Sequence, residues 1–454
     1  MLRVTGGLAR TCAGWSRRDV LRAGGLGLMG ALAVPGSAHA AGRPGTFGRA
    51  KAFILIDLYG GPAHQDVFDM KPDSPAEVRG EFNPIETNVS GIRVSEHIPR
   101  LAKIADRYTL IRSMTHTDHE HATGGYTVLS GVKHPRPGTI LPPSPDDFPP
   151  MGSIIAKFRP PQRPVPGYVT IGGTMYSAGG DVPGQTGGMA GQRYDPFDIK
   201  GDPNQKSFKV EDIALPGDFP ALRLDRRRSL LDQVDHAASL AERNLAARGF
   251  EELQSRAFNL VSSPDIRQAF ELRSEPDTVR DTYGRHKFGQ SCLLARRLVQ
   301  TGVPVVAVYW ERGQVWDTHG NNFKDLKNNL LPPMDQGVTA LLLDLEARGM
   351  LAETAVLVTG EFGRTPKINK DAGRDHWPGV YTSLVAGGGF KGGFVHGASD
   401  EIAAFPAEDP VYPWDLAATL YHLMGIDPVS TEIRDRQDRP IGICAGQVVP
   451  EVIA

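Results

Sequence analysis

Cysteine is scarce in this sequence: Cys12, Cys292 and Cys444 are the only three among 454 residues. Such wide spacing excludes a disulfide framework and a zinc site built from paired cysteines. An excess of charge is also missing, because 50 basic residues against 52 acidic residues leave a formal net charge of −2. Nothing in this balance indicates a nucleic-acid-binding surface, so we expect no nucleic-acid partner.

Long apolar runs are missing as well. After residues 1–40, no stretch reaches the ~18 uninterrupted apolar residues of a membrane span, so we expect no transmembrane segment in the mature chain. The apolar stretch Ala23–Val34 follows Arg17-Arg18, and Ala38-His39-Ala40 fits a small-x-small cleavage site. This pattern is typical of a twin-arginine signal peptide, although an amphipathic helix is the alternative. We expect the twin-arginine machinery to export a folded chain, beginning near Ala41, to the periplasm or the medium.

Strand-like and helix-like segments alternate along the rest of the chain. Short apolar runs such as KAFILIDLYGG, VPVVAVYW and TAVLVT predict buried strands, and segments with apolar residues three and four positions apart predict helices between them. We therefore predict a single α/β domain over residues 41–454, doubly wound, with a mainly parallel sheet flanked by helices. Two departures are expected, a proline-rich irregular excursion at 135–165 and a helical insertion at 223–285.

Acids and histidines follow four of the predicted strands. In open α/β sheets, ligands bind beyond the carboxyl ends of the strands, so these residues are expected at one edge. For any single residue a loop hydrogen bond is sufficient explanation, but the four loops together favour a metal site. The loop residues are His64, Asp66 and Asp69; Thr115, His116, Asp118, His119 and His121; Glu311, Asp317 and His319; and Glu361, Arg364, Asp375 and His376.

The residue types favour a hard or borderline divalent ion. Carboxylates and imidazoles without cysteine suit zinc, manganese, magnesium or calcium, and a set of this size can hold one or two ions. Asp317 and His319 are two positions apart and point the same way in an extended chain. We expect Glu361 and His376 to converge with them on one ion. Asp375 either binds the metal or orients His376.

Arg364 is a candidate for substrate binding. A guanidinium group can hold the phosphate or sulfate of a substrate through two parallel hydrogen bonds. The alternative is a salt bridge to an acid such as Glu361.

Four motifs carry a resemblance to a known family. They are GGPAHQDVFDMKPDSPAEVRGEF (60–82), RSMTHTDHEHATGGYTVLSG (112–131), WDTHGNNF (316–323) and GEFGRTPKINKDAGRDHWPG (360–379). With these motifs the chain resembles, over nearly all of its mature length, the bacterial domain-of-unknown-function family 1501. That family is sulfatase-like and belongs to the alkaline phosphatase superfamily. The resemblance implies a doubly wound α/β fold, two metal ions, and hydrolysis of phosphate or sulfate esters by a Ser, Thr or formylglycine nucleophile.

The resemblance also implies roles for individual residues. DTHG is similar to a sulfatase ligand pair, which assigns Asp317 and His319 to a metal, and His376 resembles a later histidine ligand. Glu361 stands at a metal aspartate, although Phe362 replaces the histidine that follows it in sulfatases. The early aspartate ligand is assigned to Asp66, with Asp57 and Asp69 as rivals.

The nucleophile is where the sequence departs from sulfatases. HATGGYTVLSG (121–131) has the length of the sulfatase motif, but His121 stands at its cysteine, so formylglycine cannot form there. His121 is then a nucleophile or a metal ligand, or Thr115 or Thr123 attacks. We predict an exported metal-dependent hydrolase of phosphate or sulfate esters, acting on a small-molecule or polysaccharide substrate. The alternative is a non-catalytic exported metal-binding or scaffold protein that keeps the fold.

Overall fold

An eight-stranded sheet forms the centre of the protein. The computed structural model describes residues 45–140, 142–177, 180–210, 264–311 and 313–454. The strands are β1 (Ala52–Asp57), β2 (Tyr108–Met114), β3 (Val169–Ile171), β4 (Phe197–Ile199), β5 (Val305–Tyr309), β6 (Thr354–Thr359), β7 (Tyr381–Ala386) and β8 (Phe394–His396). Their order across the sheet is β8-β2-β7-β6-β1-β5-β3-β4. Neighbouring strands are parallel except at β7, which is antiparallel to both β6 and β2. The predicted mainly parallel sheet is confirmed.

Within the described ranges, five longer helices accompany the sheet: α1 (His121–Ser130), α2 (Met151–Phe158), α3 (Lys287–Gln300), α4 (Leu331–Ala347) and α5 (Pro413–Leu423). Shorter helical segments are His64–Val67, Ala76–Arg79, Pro99–Ala102, Pro264–Phe270, Asp277–Tyr283 and Asn322–Asp325, with a π-helical turn at Leu326–Leu330. Single 3-10 turns are Ala105–Arg107, Gly188–Ala190, Gln192–Tyr194, Leu272–Ser274, Leu351–Glu353 and Pro450–Val452. Two-stranded ribbons pair Pro84–Glu86 with Arg93–Ser95, Tyr176–Ser177 with Gly180–Asp181, Gly363–Arg364 with His376–Trp377, Ala398–Ser399 with Pro406–Glu408, and Glu432–Arg434 with Pro440–Gly442.

Both faces of the sheet are buried. Along β1 the side chains alternate, so that Ile54 and Ile56 join the core formed with α3 and α4, while Phe53 and Leu55 join the core formed with α2 and α5. Full burial of one such side chain contributes about 1.5–3 kcal/mol. This two-sided burial explains why the strand is a continuous apolar run, and it confirms the doubly wound prediction.

The segment 135–165 is less irregular than predicted. Helix α2, Met151–Phe158, lies inside it, with Pro150 as the residue before its first turn. The prolines therefore flank the helix on both sides, from Pro135 to Pro150 before it and from Pro160 to Pro164 after it, and none interrupts it. The prediction was wrong for these eight residues.

The described residues belong to one compact unit, Gly42–Ala454. The predicted signal peptide (1–40) and residues 223–263 of the predicted helical insertion lie outside the described residues; 264–285 include two of the short helices. No helix in the described ranges has both the length and the apolar character that a membrane crossing requires.

Candidate metal centre

A carboxylate surrounded by histidines lies at the carboxyl edge of the sheet. Because β6, β1 and β5 are consecutive and parallel, the loops that follow them meet there. Two members of the group lie in the loop after β5, one begins α1, and one lies in the ribbon His376–Trp377. We call this group the histidine cluster: Asp317, His121, His319 and His376.

Each imidazole ring places its Nε2 atom beside the carboxylate of Asp317. The Nε2 atoms of His319 and His376 lie 3.0 Å and 3.2 Å from Oδ1, and the Nε2 atom of His121 lies 3.2 Å from Oδ2. The Nε2 atoms of His319 and His376 are 3.0 Å apart. Ligand atoms of His121, Asp317 and His376 also lie within 4.8 Å of one another. Three ring nitrogens therefore converge on one carboxylate.

These distances fit a metal ion. Asp317 Oδ1 and the Nε2 atoms of His319 and His376 form a triangle with edges of 3.0, 3.0 and 3.2 Å. Adjacent ligands at ~2.1 Å from an octahedral or tetrahedral ion are separated by roughly 3.0–3.4 Å. The Nε2 atom of His121 is buried, and it lies 3.2 Å from Asp317 Oδ2 without forming an aligned hydrogen bond. A metal ion would satisfy this nitrogen.

The second nitrogen of each ring, Nδ1, is held by a group outside the cluster. The partners are the carboxylate of Glu361 for His121, Oδ1 of Asp375 at 2.7 Å for His319, and the backbone carbonyl of His119 at 2.8 Å for His376. Such an outer acceptor fixes the tautomer and the orientation of a metal-binding imidazole. In this arrangement Glu361, which the sequence predicted as a ligand, orients His121. Asp375, which was left open between binding the metal and orienting His376, contacts His319 instead.

Glu361 is itself held by the loops around it. Its carboxylate is 1% exposed, and both oxygens accept the backbone N–H of Gly60 at 3.0 Å. The N–H of Asp118 donates to Nδ1 of His116 at 3.1 Å, so the Nε2–H of His116 donates to the Glu361 carbonyl at 2.5 Å. Glu361 is therefore fixed, and it reaches Asp317 through the ring of His121.

The two carboxylates strongly affect the titration of the cluster. Burial disfavours a charged His121, but its neighbours Asp317 and Glu361 outweigh that effect and raise its pKa to about 9. Burial also opposes ionisation of Asp317, yet the contacts with His121, His376 and Arg364 hold its pKa well below the usual range. Asp317 is thus ionised, as a metal ligand must be.

Arg364 is buried beside Asp317. Its Nη2 atom lies 2.5 Å from Asp317 Oδ1, and its other donors reach the backbone carbonyls of Gly60, Gly61 and Arg374. The side chain is 0% exposed, so it does not reach a substrate anion in solvent. The first prediction, that Arg364 binds the phosphate or sulfate of a substrate, is therefore not supported. Arg364 forms a salt bridge as the alternative expected, but with Asp317.

Asp66 lies away from the histidine cluster. Its fully buried carboxylate makes two contacts with Arg374, at 2.7 Å and 2.8 Å, and accepts a hydrogen bond from Asn322 at 2.8 Å. The structure does not bring Asp66 to the cluster, because these donors already occupy its oxygens.

The rival aspartates are also outside the cluster. Asp69 accepts the hydroxyl of Ser399 and lies 3.1 Å from the ammonium of Lys71. Asp57 is the last residue of β1, and burial, followed by the charge of Glu361, raises its pKa well above the usual value.

The candidate threonine nucleophiles are engaged elsewhere. The hydroxyl of Thr115 donates to the carbonyl of Gly379 at 2.8 Å, and the hydroxyl of Thr123 accepts the N–H of Gly138 at 3.2 Å. In the described part of the chain, the hydrogen-bond partners of the histidine cluster include no serine, threonine or cysteine side chain.

Sequence reasoning missed several residues that organise this edge. Arg374 and Asn322 lie inside two of the motifs quoted above, but the motifs gave them no role, and their partner Asp66 is far away in sequence. His116 and His119 belonged to the strand-end loops, but their contribution is through Glu361 and a backbone carbonyl, which residue type alone does not reveal.

Comparisons with known proteins give one family and several distant structures. The family model described as "Protein of unknown function (DUF1501)" matches residues 50–453. A putative sulfatase from Bacteroides thetaiotaomicron VPI-5482 is 9% identical, with 88% of this chain and 74% of that chain covered at a TM-score of 0.40. Phosphonate monoester hydrolase from Silicibacter pomeroyi is 14% identical (82% and 72% covered, TM-score 0.35), and human ectonucleotide pyrophosphatase/phosphodiesterase 5 is 8% identical (88% and 99%, TM-score 0.40). No curated protein matches the chain.

Proposed function

The chain belongs to the DUF1501 family of proteins of unknown function, and we propose that it is a metal-dependent hydrolase of phosphate or sulfate esters. The observation that carries this proposal is the convergence of three Nε2 atoms on Asp317 while each Nδ1 atom is held from outside. The ester class rests on the motif resemblance set out above.

The donor set favours a zinc-like ion. Three imidazole nitrogens and one carboxylate suit zinc and its transition-metal neighbours better than magnesium or calcium, which prefer oxygen ligands. The histidine cluster would hold one ion, since the described residues contain a single group of metal-ligating side chains. When bound, the ion would supply Lewis-acid activation of water and of the ester oxygen.

The histidine cluster is exposed to solvent on one side and buried on the other. This difference indicates the side from which a substrate would approach. The side chains of His319 and Asp375 are 46% and 54% exposed, whereas those of His121 and Glu361 are 5% and 1% exposed. The ester would therefore approach past His319, and the buried pair would exclude water from behind.

Water is the proposed nucleophile, because the hydroxyls of Thr115 and Thr123 are engaged elsewhere. Its oxygen forms the new bond to phosphorus or sulfur as the bond to the ester oxygen breaks. One water proton passes to the departing alkoxide, so the products are an alcohol and phosphate or sulfate. No formylglycine is required.

We also propose that the substrate, small or polysaccharide, is met outside the cytoplasm after twin-arginine export. The arginine pair of the precursor motivates this proposal. Replacing Arg17→Lys and Arg18→Lys together should retain the precursor inside the cell, as fractionation would show. Unchanged export of this variant would exclude the twin-arginine route.

A second function is favoured by the missing hydroxyl or thiol at the cluster. Because no serine, threonine or cysteine side chain in the described residues hydrogen-bonds to the cluster, the protein could instead bind a metal for a structural or scaffold role. The distinguishing feature is turnover, because a scaffold binds the ion but releases no alcohol or inorganic anion.

The test combines metal analysis with an ester screen. Mature protein is assayed against phosphate monoesters, phosphate diesters and sulfate esters with zinc, manganese, magnesium or calcium added in turn. We expect one ion per chain and hydrolysis of at least one ester class, both lost in His319→Ala. His119→Ala is the matched control, because it removes an imidazole but keeps the carbonyl that contacts His376.

The outcomes separate the functions. Metal binding without hydrolysis of any ester supports the scaffold role and overturns the hydrolase. A protein that binds no metal, or a His319→Ala variant that binds it as tightly as the parent, overturns both.

A further inference from the structure

The metal-binding histidines are carried by two loops that are bonded to each other. The first, residues 317–322, contains His319, and the second, residues 365–376, contains His376. The N–H of Arg374 donates to the carbonyl of Thr318 at 3.0 Å, and the amide of Asn369 donates to the carbonyl of His319 at 2.9 Å. The relative position of the two rings therefore depends on how these loops are held.

The buried guanidinium group of Arg374 anchors the second loop. All of its N–H groups have acceptors: Nε donates to Asp66 Oδ2 at 2.7 Å, and Nη2 donates to Asp66 Oδ1 at 2.8 Å and to the carbonyl of Val78 at 2.7 Å. The Nη1 atom of Arg374 donates to the carbonyls of Thr365, at 3.1 Å, and Pro366. These two acceptors lie in the loop itself, so the side chain ties both ends of the loop to Asp66.

The same carboxylate holds the first loop. Oδ2 of Asp66 accepts the side-chain N–H of Asn322 at 2.8 Å, and the Oδ1 atom of Asn322 accepts the hydroxyl of Thr318 at 2.6 Å. The backbone N–H of Asn322 donates across to the carbonyl of Ala372 at 2.9 Å. Asp66 is thus bonded to both loops.

We infer that Asp66 and Arg374 are positioning residues for the metal centre, which set the separation of His319 and His376. Both side chains are 0% exposed and touch no ligand atom of the cluster, so they act through the loops. This inference rests on the proposed metal site. Its physical basis is that a bidentate pair between an arginine and a carboxylate fixes direction as well as distance.

Local packing supports this assignment. Gly80 has a φ of 68°, and a Cβ there would lie 3.2 Å from Asp66 Oδ1 and 2.5 Å from the ring of Phe323. The guanidinium of Arg374 lies 5.8 Å from the centre of that ring. Phe323 and the backbone at Gly80 therefore enclose the ion pair and leave the two groups little freedom to move.

The test measures metal binding in the full mature chain. Asp66→Asn removes the negative charge of the Asp66–Arg374 pair and keeps the size of the side chain. Zinc and cobalt(II) affinities are measured by competition with a chromophoric chelator, and the visible absorption of the cobalt(II) protein reports the coordination geometry. We expect zinc affinity to fall by about 10- to 100-fold, with an altered cobalt(II) spectrum, because the loss of an outer partner displaces the ligands without removing them.

A matched control separates positioning from stability. Glu275→Gln weakens another buried group, in which Oε1 of Glu275 lies 2.9 Å from Arg296, and it leaves both ligand-bearing loops untouched. We expect it to lower the melting temperature without changing zinc affinity or the cobalt(II) spectrum. Equal metal affinity and identical spectra in Asp66→Asn and the parent would overturn the inference.

A double variant covers the case in which Asp66→Asn fails to fold, because an unpaired buried arginine is strongly destabilising. Asp66→Asn combined with Arg374→Gln removes both charges. We expect a folded chain that still binds zinc at least about 10-fold more weakly than the parent. Parental affinity in the double variant would overturn the inference, whereas a parent that binds no metal would overturn the proposed function itself.

Discussion

At the scale of the residue, each cluster histidine has two distinct contacts. Its Nε2 atom faces Asp317, and its Nδ1 atom is held by an outer acceptor, as for His319 with Asp375. This division explains how a carboxylate close to the site can be essential to geometry without binding the metal. It also assigns different consequences to mutations of acids that look equivalent in the sequence.

Asp375→Asn should weaken metal binding moderately. The amide can still accept the Nδ1–H of His319, but it no longer increases the basicity of the ring, so we expect a ~10- to 100-fold loss of zinc affinity. Isothermal titration of the mature protein measures this loss. Asp371→Asn, an exposed change in the same loop, should have no effect. A loss of many thousand-fold would mean that Asp375 binds the ion directly.

Burial of His64 should make stability depend on pH. Burial is the main cause that lowers the pKa of His64 to about 4. The negative charge of Asp69 opposes this shift, and the positive charges of Arg374 and Lys71 add to it. Between pH ~6.5 and pH 4 the unfolded chain binds a proton that the folded chain does not, so stability is complete above pH ~6.5 and falls by up to about 3 kcal/mol toward pH 4.

Urea unfolding across this pH range tests the contribution of His64. His64→Gln removes the titrating group, so the free energy of unfolding should fall less steeply on acidification than in the parent. His119→Gln, a change at an exposed histidine, is the control and should keep the parental slope. Identical slopes for His64→Gln and the parent would contradict the prediction.

The sequence identified part of the site at this scale. Asp317, His319 and His376 follow from residue type and from their place after strands, and His121 was left open between nucleophile and ligand. Arg364 was predicted to bind a substrate anion and Asp66 to bind a metal, yet both are fully buried with internal partners. Burial and partner choice over hundreds of residues depend on tertiary packing, which local patterns do not encode.

At the scale of the element, the loop 365–376 holds His376 beside the loop that carries His319. It leaves the ribbon at Arg364 and returns at His376, where the two strands pair in register. Between them Gly373 packs against the loop that carries His319: a Cβ at this glycine would lie 2.0 Å from the carbonyl oxygen of His319. This close approach holds the two loops at a fixed spacing.

Gly373→Ala should therefore disturb the centre. The added methyl meets backbone atoms that cannot move away cheaply, so we expect a loss of about 1–3 kcal/mol in stability together with weaker zinc binding. Gly320→Ala is the matched control, because its Cβ would have only an ordinary contact, 3.6 Å from the carbonyl of Asp371. Thermal unfolding with and without zinc compares the two variants, and equal behaviour would refute this account of the loop.

The positions of strands along the sequence were easier to predict than whether neighbouring strands run parallel or antiparallel. The apolar runs of β1, β5 and β6 are fully buried strands, as their composition indicated. The direction of β7 could not be derived, because it depends on the path of the long loop between β6 and β7. Helix α2 was missed because the surrounding prolines dominate the composition of its segment.

At the scale of the whole molecule, the fold gathers distant segments at one edge of the sheet. The histidine cluster draws on residues from 121 to 376, and the chain brings them together because β1, β5 and β6 lie side by side. The buried side is closed by His121 and Glu361, while His319 and Asp375 face the solvent. The histidine cluster is therefore open to solvent on the side of His319 and closed on the side of His121.

X-ray absorption at the zinc edge of the zinc-loaded mature protein tests the central claim most directly. The account predicts one ion per chain, bound by three imidazole nitrogens and at least one carboxylate oxygen at about 2.0–2.2 Å. His319→Ala should no longer retain the ion. An ion surrounded by oxygen alone, or a chain that retains no zinc, would contradict the account.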